Sequence, residues 1–200
     1  MKDRYFSISK ASEGFYKEKG SKFIAWAFPA RDEEEVKAHL EALRSKYYDA
    51  RHHCYAYAFG PEQEPYRAND DGEPSNSAGA PILGQIRSHE LSDVLVVVIR
   101  YFGGTKLGVG GLIHAYKTAA HEALTQAKRK EVVLCKEVWI KHGYEQMNWV
   151  MRLISQWNLI LIEQDLTDTC ITKVEVPLGD SEALKKQLEQ THTITYEYLD

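Results

Sequence analysis

The chain has 200 residues, 44% of them hydrophobic and 27% charged, with a formal net charge of −4. That length can bury a sizeable core, as one large domain or two small ones, and the composition suits an ordinary globular protein with nothing left for a disordered tail. No apolar run approaches the ~20 residues that cross a bilayer, and MKDRYFSISK at the start lacks the apolar centre of a signal peptide, so a cytoplasmic location with no membrane partner is expected.

The charge is unevenly spread: residues 1–130 hold 19 Lys and Arg against 17 Asp and Glu, and residues 131–200 hold 6 against 12. A nucleic acid would therefore be held by the first part, through a local patch. Cys54, Cys135 and Cys170 are odd in number and lie far apart without CxxC spacing, which points away from a disulfide framework or structural zinc. Reduced core thiols are expected, with no metal and no cofactor.

Past Ala30, RDEEEVKAHLEALRSKY predicts a helix capped by Asp32, with Val36, Leu40 and Leu43 on one face. HHCYAYAFG, His52 to Gly60, predicts a strand with His52 and Cys54 on one face and His53 on the other. PEQEPYRANDDGEPSNSAGAP has loop composition for about twenty residues, a length that is often functional. Ala78 to Leu91 predicts a helix packed through Ile82, Leu83 and Ile86, with Pro81 in its first turn. VLVVVI, ending at Arg100, fits a strand buried on both faces, and LIHAYKTAAHEALTQAK fits a helix starting at or just after Gly110. From Val132 the pieces VVLCKEVWI, YEQMNWVMRLISQW, LILIEQDL, CITKVEVPL, SEALKKQLEQ and TITYEYL predict a ferredoxin-like βαββαβ series. Ser181 or Asp180 would cap its second helix, and Asp168 would lie between its two central strands. The expected organisation is α+β, with one domain over 1–130 and a ferredoxin-like domain over 131–200.

Five glycines fall between Phe102 and Leu112 in RYFGGTKLGVGGLIHAY. A strand, Gly-rich turn and helix N-terminus can hold an anion on free N–H groups, and Arg100, Lys106 and Lys117 flank this one. The candidates for holding an anion or RNA are Arg51, Arg67, Arg100, Lys106, Gly108, Gly110, Gly111 and Lys117. The alternative is that the glycines only let the backbone turn. GGTKLGVGG lacks both a GK[ST] ending and the third glycine of GxGxxG, so no nucleotide-binding pattern is present. In RANDDGEPSNSAG, Asp70, Asp71 and Glu73 could offer oxygens to a hard cation, or form an Asx-type turn leading to a cap at Ser77. Cys54 beside a histidine reads as a core thiol or a nucleophile, and no GxSxG, HExxH or Walker pattern occurs. Tyr55, Tyr57, Phe59, Tyr101 and Phe102 lie among basic residues; about half of these rings are expected in the core and the exposed ones could stack on bases.

HHCYAYAFG, RANDDGEPSNSAGAPIL and VVVIRYFGGTKLGVGGLIHAY closely resemble the signature blocks of the YigZ/IMPACT family, and the βαββαβ tail resembles the second domain of its bacterial members. This chain has Asn76-Ser77 where the family usually has Gly-Thr or Gly-Ser, and His114 where Arg is common. The resemblance implies a first domain shaped like the second domain of a ribosomal small-subunit protein and domain IV of elongation factor G, and a tail like that factor's domain V. It implies a translation-associated regulatory protein whose partner is RNA or the ribosome. Two other classes stay open. One is an enzyme on a small phosphorylated substrate using His52, Cys54, Asp70, Asp71 or Glu73; the other is a module docking a protein partner through its C-terminal domain.

Overall fold

The computed structural model of the chain describes residues 3–167, 169–191 and 193–199. In order, the elements are β1 (Arg4–Ile8), β2 (Ser12–Glu18), β3 (Ser21–Pro29), α1 (Glu33–Lys46), β4 (His52–Ala58), β5 (Tyr66–Asn69), α2 (Gly79–Ser88), β6 (Val94–Tyr101) and α3 (Gly108–Thr125). There follow β7 (Arg129–Val133), β8 (Cys135–His142), a 3₁₀ turn (Tyr144–Gln146), α4 (Met147–Gln156), β9 (Ile160–Leu166), β10 (Cys170–Pro177), α5 (Leu178–Glu189) and β11 (Thr195–Leu199). Asp168 lies outside the described residues. The chain divides into two units, Tyr5–Val132, and Met1–Arg4 with Val133–Asp200. Five α-helices and three sheets among the described residues make it α+β.

In the first unit an antiparallel sheet runs in the order β2-β3-β6-β4-β5. VLVVVI occupies its centre because β-branched side chains on both faces suit a strand covered on both sides, and Val94 to Arg100 are all buried. Period-two alternation separates two cores. Phe23, Ala25, Cys54, Ala56, Val96 and Val98 pack with Ile82 and Ile86 of α2 and Ala115, Tyr116 and Ala119 of α3. Tyr55, Tyr57, Phe59, Leu95, Val97 and Ile99 pack with Val36, Leu40 and Leu43 of α1. The Asp32 carboxylate accepts from Glu35 N (2.8 Å) to cap α1, and each of its three buried apolar side chains contributes about 1.5–3 kcal/mol. In the second unit the succession β8-α4-β9-β10-α5-β11 forms an antiparallel sheet in the order β11-β8-β10-β9. Val138, Ile140, Val174 and Val176 from its strands meet Val150, Leu153, Leu184 and Leu188 from its helices.

Four local expectations change. The stretch between β4 and α2 is not loop throughout, because Tyr66–Asn69 pairs with β4 as β5. VVLCKEVWI breaks at Leu134, whose N–H and carbonyl bond Asp3 and Leu178 instead of a ladder partner. Its two halves belong to different sheets, β7 pairing with β1 and β8 with β10 and β11. α3 starts at Gly108, two residues before Gly110. Neither Ser181 nor Asp180 caps α5, since the chain turns into that helix at Pro177 and Ser181 Oγ donates to Leu178 O (2.8 Å) within the first turn.

Candidate nucleic-acid interface

At one end of the five-stranded sheet, Arg100 of β6 stands opposite both His52 of β4 and Phe23 of β3. The glycine segment leaves from there across the β2–β3 turn. A Cβ on Gly103 would lie 1.9 Å from the carbonyl carbon of Gly20, so this glycine is required by backbone contact, and its N–H donates to Ser21 Oγ (3.1 Å). Gly108 is required for a different reason, its positive φ of 71° where α3 begins. Gly110 has neither reason: beyond its chain neighbours and its own helix backbone nothing lies within 4 Å of where its Cβ would be, and it is exposed. No side chain caps α3 among the described residues. Its amino end therefore presents N–H groups to an open space.

The loop from Asn69 to Gly79 is organised by its own carboxylates. Asp70 accepts from the backbone N–H groups of Asn76 (2.8 Å), Ala78 (3.0 Å) and Gly79 (2.8 Å), capping α2 from eight residues upstream of its cap position. Asp71 accepts from His53 N (2.7 Å), and its carbonyl meets His52 Nδ1 (2.8 Å). Glu73 takes Arg100 Nη1 at 2.6 Å, with the two side chains 4% and 8% exposed, and also the Tyr116 hydroxyl at 2.8 Å. Cys54 Sγ lies 3.3 Å from that hydroxyl and 3.0 Å from Asp70 O. The three carboxylates thus serve three separate places and do not converge. Burial pushes the Cys54 thiol and the Tyr116 hydroxyl far above their ordinary values, which holds Cys54 as a thiol rather than a nucleophilic thiolate.

Beside Arg100 is a cleft of about 420 Å³ whose lining includes Arg51, His52, Arg100, Tyr101 and Phe102. Arg100 Nε is buried and without a hydrogen-bond partner among the described residues. The guanidinium lies 5.6 Å from the Phe102 ring centre, and that ring is 59% exposed. The Tyr101 hydroxyl donates to Asp49 (2.7 Å), a bond that pushes its pKa up to about 12. Of the basic residues expected at one site, Arg51 and Arg100 share this cleft, and Lys106 is exposed in the turn that follows Phe102. Gly108, Gly110 and Gly111 form the first turn of α3. Lys117 lines a different hollow, between α2 and α3. Arg67 stands on edge strand β5 opposite Tyr57, five residues or about 16 Å along β4 from His52. Tyr55, Tyr57 and Phe59 are buried against α1, which leaves Phe102 as the ring available for stacking.

The Impact N-terminal domain matches residues 19–124, more than half the chain. The chain belongs to the IMPACT family. An IMPACT family member of Thermus thermophilus is 40% identical over 159 residues, covering 80% of this chain and 86% of that one. YvyE of Bacillus subtilis is 31% identical over 197 residues, 98% of this chain and 80% of that one, and YigZ of Escherichia coli is 32% identical over 161 residues. A solved structure described as a hypothetical protein superimposes over all of this chain and 98% of its own, with TM-score 0.72 and 27% identity. The matched residues of this IMPACT family member hold the whole cleft, the Asn69–Gly79 loop and the amino end of α3.

Proposed function

We propose that this protein is a translation-associated regulatory protein that binds RNA, free or on the ribosome, through the cleft and the adjoining amino end of α3. The observation that carries the reading is the meeting of Arg51, the unpartnered Arg100 Nε and the exposed Phe102 ring at one cleft, with the uncapped start of α3 six residues after Phe102 in the chain. Phosphate oxygens accept from Arg51 and the first-turn N–H groups while a base stacks on Phe102, the combination that single-strand binders use. Lys106 adds charge along the path of the backbone. The reading extends to architecture: residues 1–130 as a domain like the second domain of a ribosomal small-subunit protein and domain IV of elongation factor G, and 131–200 as a ferredoxin-like domain like domain V. A place on the translation apparatus carries a cytoplasmic location with it.

Fluorescence anisotropy with labelled single-stranded and structured RNA, at low and near-physiological salt, tests this. Binding that weakens with salt supports it, with a slope that falls by about 1 in Arg51→Ala. No binding of either RNA at low salt would overturn it.

A protein-partner role for the second unit is favoured by edge strand β9, where Ile160, Leu161, Ile162 and Leu166 are all exposed. An unpaired strand edge carrying apolar side chains is a template for an added strand. A partner held this way would be lost on Ile162→Lys; retention by the variant would place the contact elsewhere.

A further inference from the structure

The hollow between α2 and α3 shares no lining residue with the cleft. It measures about 570 Å³, within the range of small-ligand pockets. Gln85, Ser88 and His89 line it from the α2 side, and His114, Lys117 and His121 from α3. Positions 114, 117 and 121 share one face of a helix, so α3 presents a stripe of cationic and potentially cationic side chains. No Asp or Glu is among the lining residues.

Within the lining His89 Nε2 faces His121 Nδ1 at 3.0 Å, so the neutral pair shares one N–H between two nitrogens. His121 Nε2 lies 3.4 Å from Thr125 Oγ1, and the His114 ring meets Tyr16 nearly at right angles, 5.8 Å between ring centres. The groups acting on His89 all oppose its protonation: burial first, then His121, then Arg129 of β7. One added proton can sit on an outward-facing nitrogen and leave the shared N–H in place as an imidazolium–imidazole bond; only protonation of both rings would set two N–H groups face to face, with no Asp or Glu among the lining residues to receive either. A divalent cation fits poorly, because Lys117 and Arg129 repel it and, among the described residues, the three histidines do not converge as a metal-holding group. An anion meets Lys117, both imidazoles and neutral donors together.

We propose that the α2–α3 hollow is a binding pocket for a phosphate monoester dianion, engaged with uptake of a proton by the His89–His121 pair. The dianion accepts from Lys117 Nζ and from both imidazoles, which turn from each other to the ligand. Because the bound form carries the extra proton, affinity rises as the pH falls through the histidine range. The phosphate belongs either to a small phosphorylated metabolite or to the 5′ end of a nucleic acid, and the shared chemistry is the dianion. This pocket uses none of the cleft residues, so it stands or falls separately from RNA binding there.

The test follows the histidine ring resonances of the full chain by NMR during titration with inorganic phosphate, adenosine 5′-monophosphate, and a short oligoribonucleotide with or without a 5′-phosphate, at pH 6.0 and 7.5. The expected result is a joint, saturable shift of the His89, His114 and His121 signals, with the monophosphate bound about tenfold tighter at pH 6.0: one proton taken up over about 1.5 pH units gives roughly thirtyfold, less the two- to threefold lost as the monoester itself protonates near pH 6. Binding of inorganic phosphate and of the monophosphate should be lost in Lys117→Ala and His121→Asn and unchanged in Arg67→Ala. Binding by the monophosphate marks a metabolite pocket; binding confined to the 5′-phosphorylated oligonucleotide marks an RNA end. Unmoved histidine signals at saturating phosphate at both pH values would overturn the proposal, as would a response to Zn²⁺ alone.

Discussion

Glu73 is the residue on which the site depends. It accepts from Arg100 and Tyr116 in an interior where neither carboxylate nor guanidinium has free access to water. Removing one member of such a pair strands the other, so Glu73→Ala should destabilise the first unit by about 3–5 kcal/mol in urea unfolding. A loss near zero would mean that the pair is not formed. Sequence reading places Arg100 beside the glycine turn but gives no sign that its partner is Glu73, because 27 residues separate them and no local period connects them. A longer separation, 62 residues, hides Tyr116 from Cys54. Thiol chemistry gives an independent check: Cys54 and Cys170 are buried and Cys135 exposed. One thiol per native chain should react with an aromatic disulfide reagent, and three after unfolding. Rapid reaction of Cys54 in the native chain would contradict the burial that keeps it protonated.

Individual elements were legible where one rule governs them. Asp32 and the Val36, Leu40, Leu43 stripe fix α1, and VLVVVI fixes the central strand. The β2–β3 hairpin, with its turn at Lys19-Gly20, goes unread because SKFIAWAF is apolar on both faces, so no hydrophobic alternation marks it. The glycines divide by cause. Gly103→Ala should unfold or rearrange the β2–β3 turn, since its Cβ would enter the Gly20 backbone. Gly110→Ala should leave stability intact, an alanine being favoured over glycine in a helix by about 1 kcal/mol, yet weaken RNA binding by filling the open space at the α3 start. Equal stability with unchanged binding would assign Gly110 no part in the site. Acid tests the histidines. Burial lowers the folded-state pKa of both His53 and His89, so the unfolded chain takes up protons more readily. Their contribution is present above their ordinary value of about 6.5 and is lost as the pH falls below it, so the urea midpoint of the first unit should drop between pH 7 and pH 5. A midpoint that rises over that interval would contradict the assignment.

For the whole molecule, the uneven charge separates two kinds of surface. The acidic second unit exposes the apolar edge of β9, while the first gathers Arg51, Lys106 and Phe102 around one end of its sheet. Composition alone shows the asymmetry but not the cleft, because Arg51 and Phe102 meet only when β4 and β6 pair in register. The same pairing separates Arg67, which charge alone would group with them. The most direct measurement is therefore single-stranded RNA affinity of Arg51→Ala/Phe102→Ala against Arg67→Ala, each shown to be folded. Loss of one base-stacking contact alone removes about 1–3 kcal/mol, so the cleft variant should bind at least about fivefold more weakly while Arg67→Ala stays close to the parent chain. Equal affinities for the parent and the cleft variant, or a larger loss in Arg67→Ala, would contradict RNA recognition at the cleft.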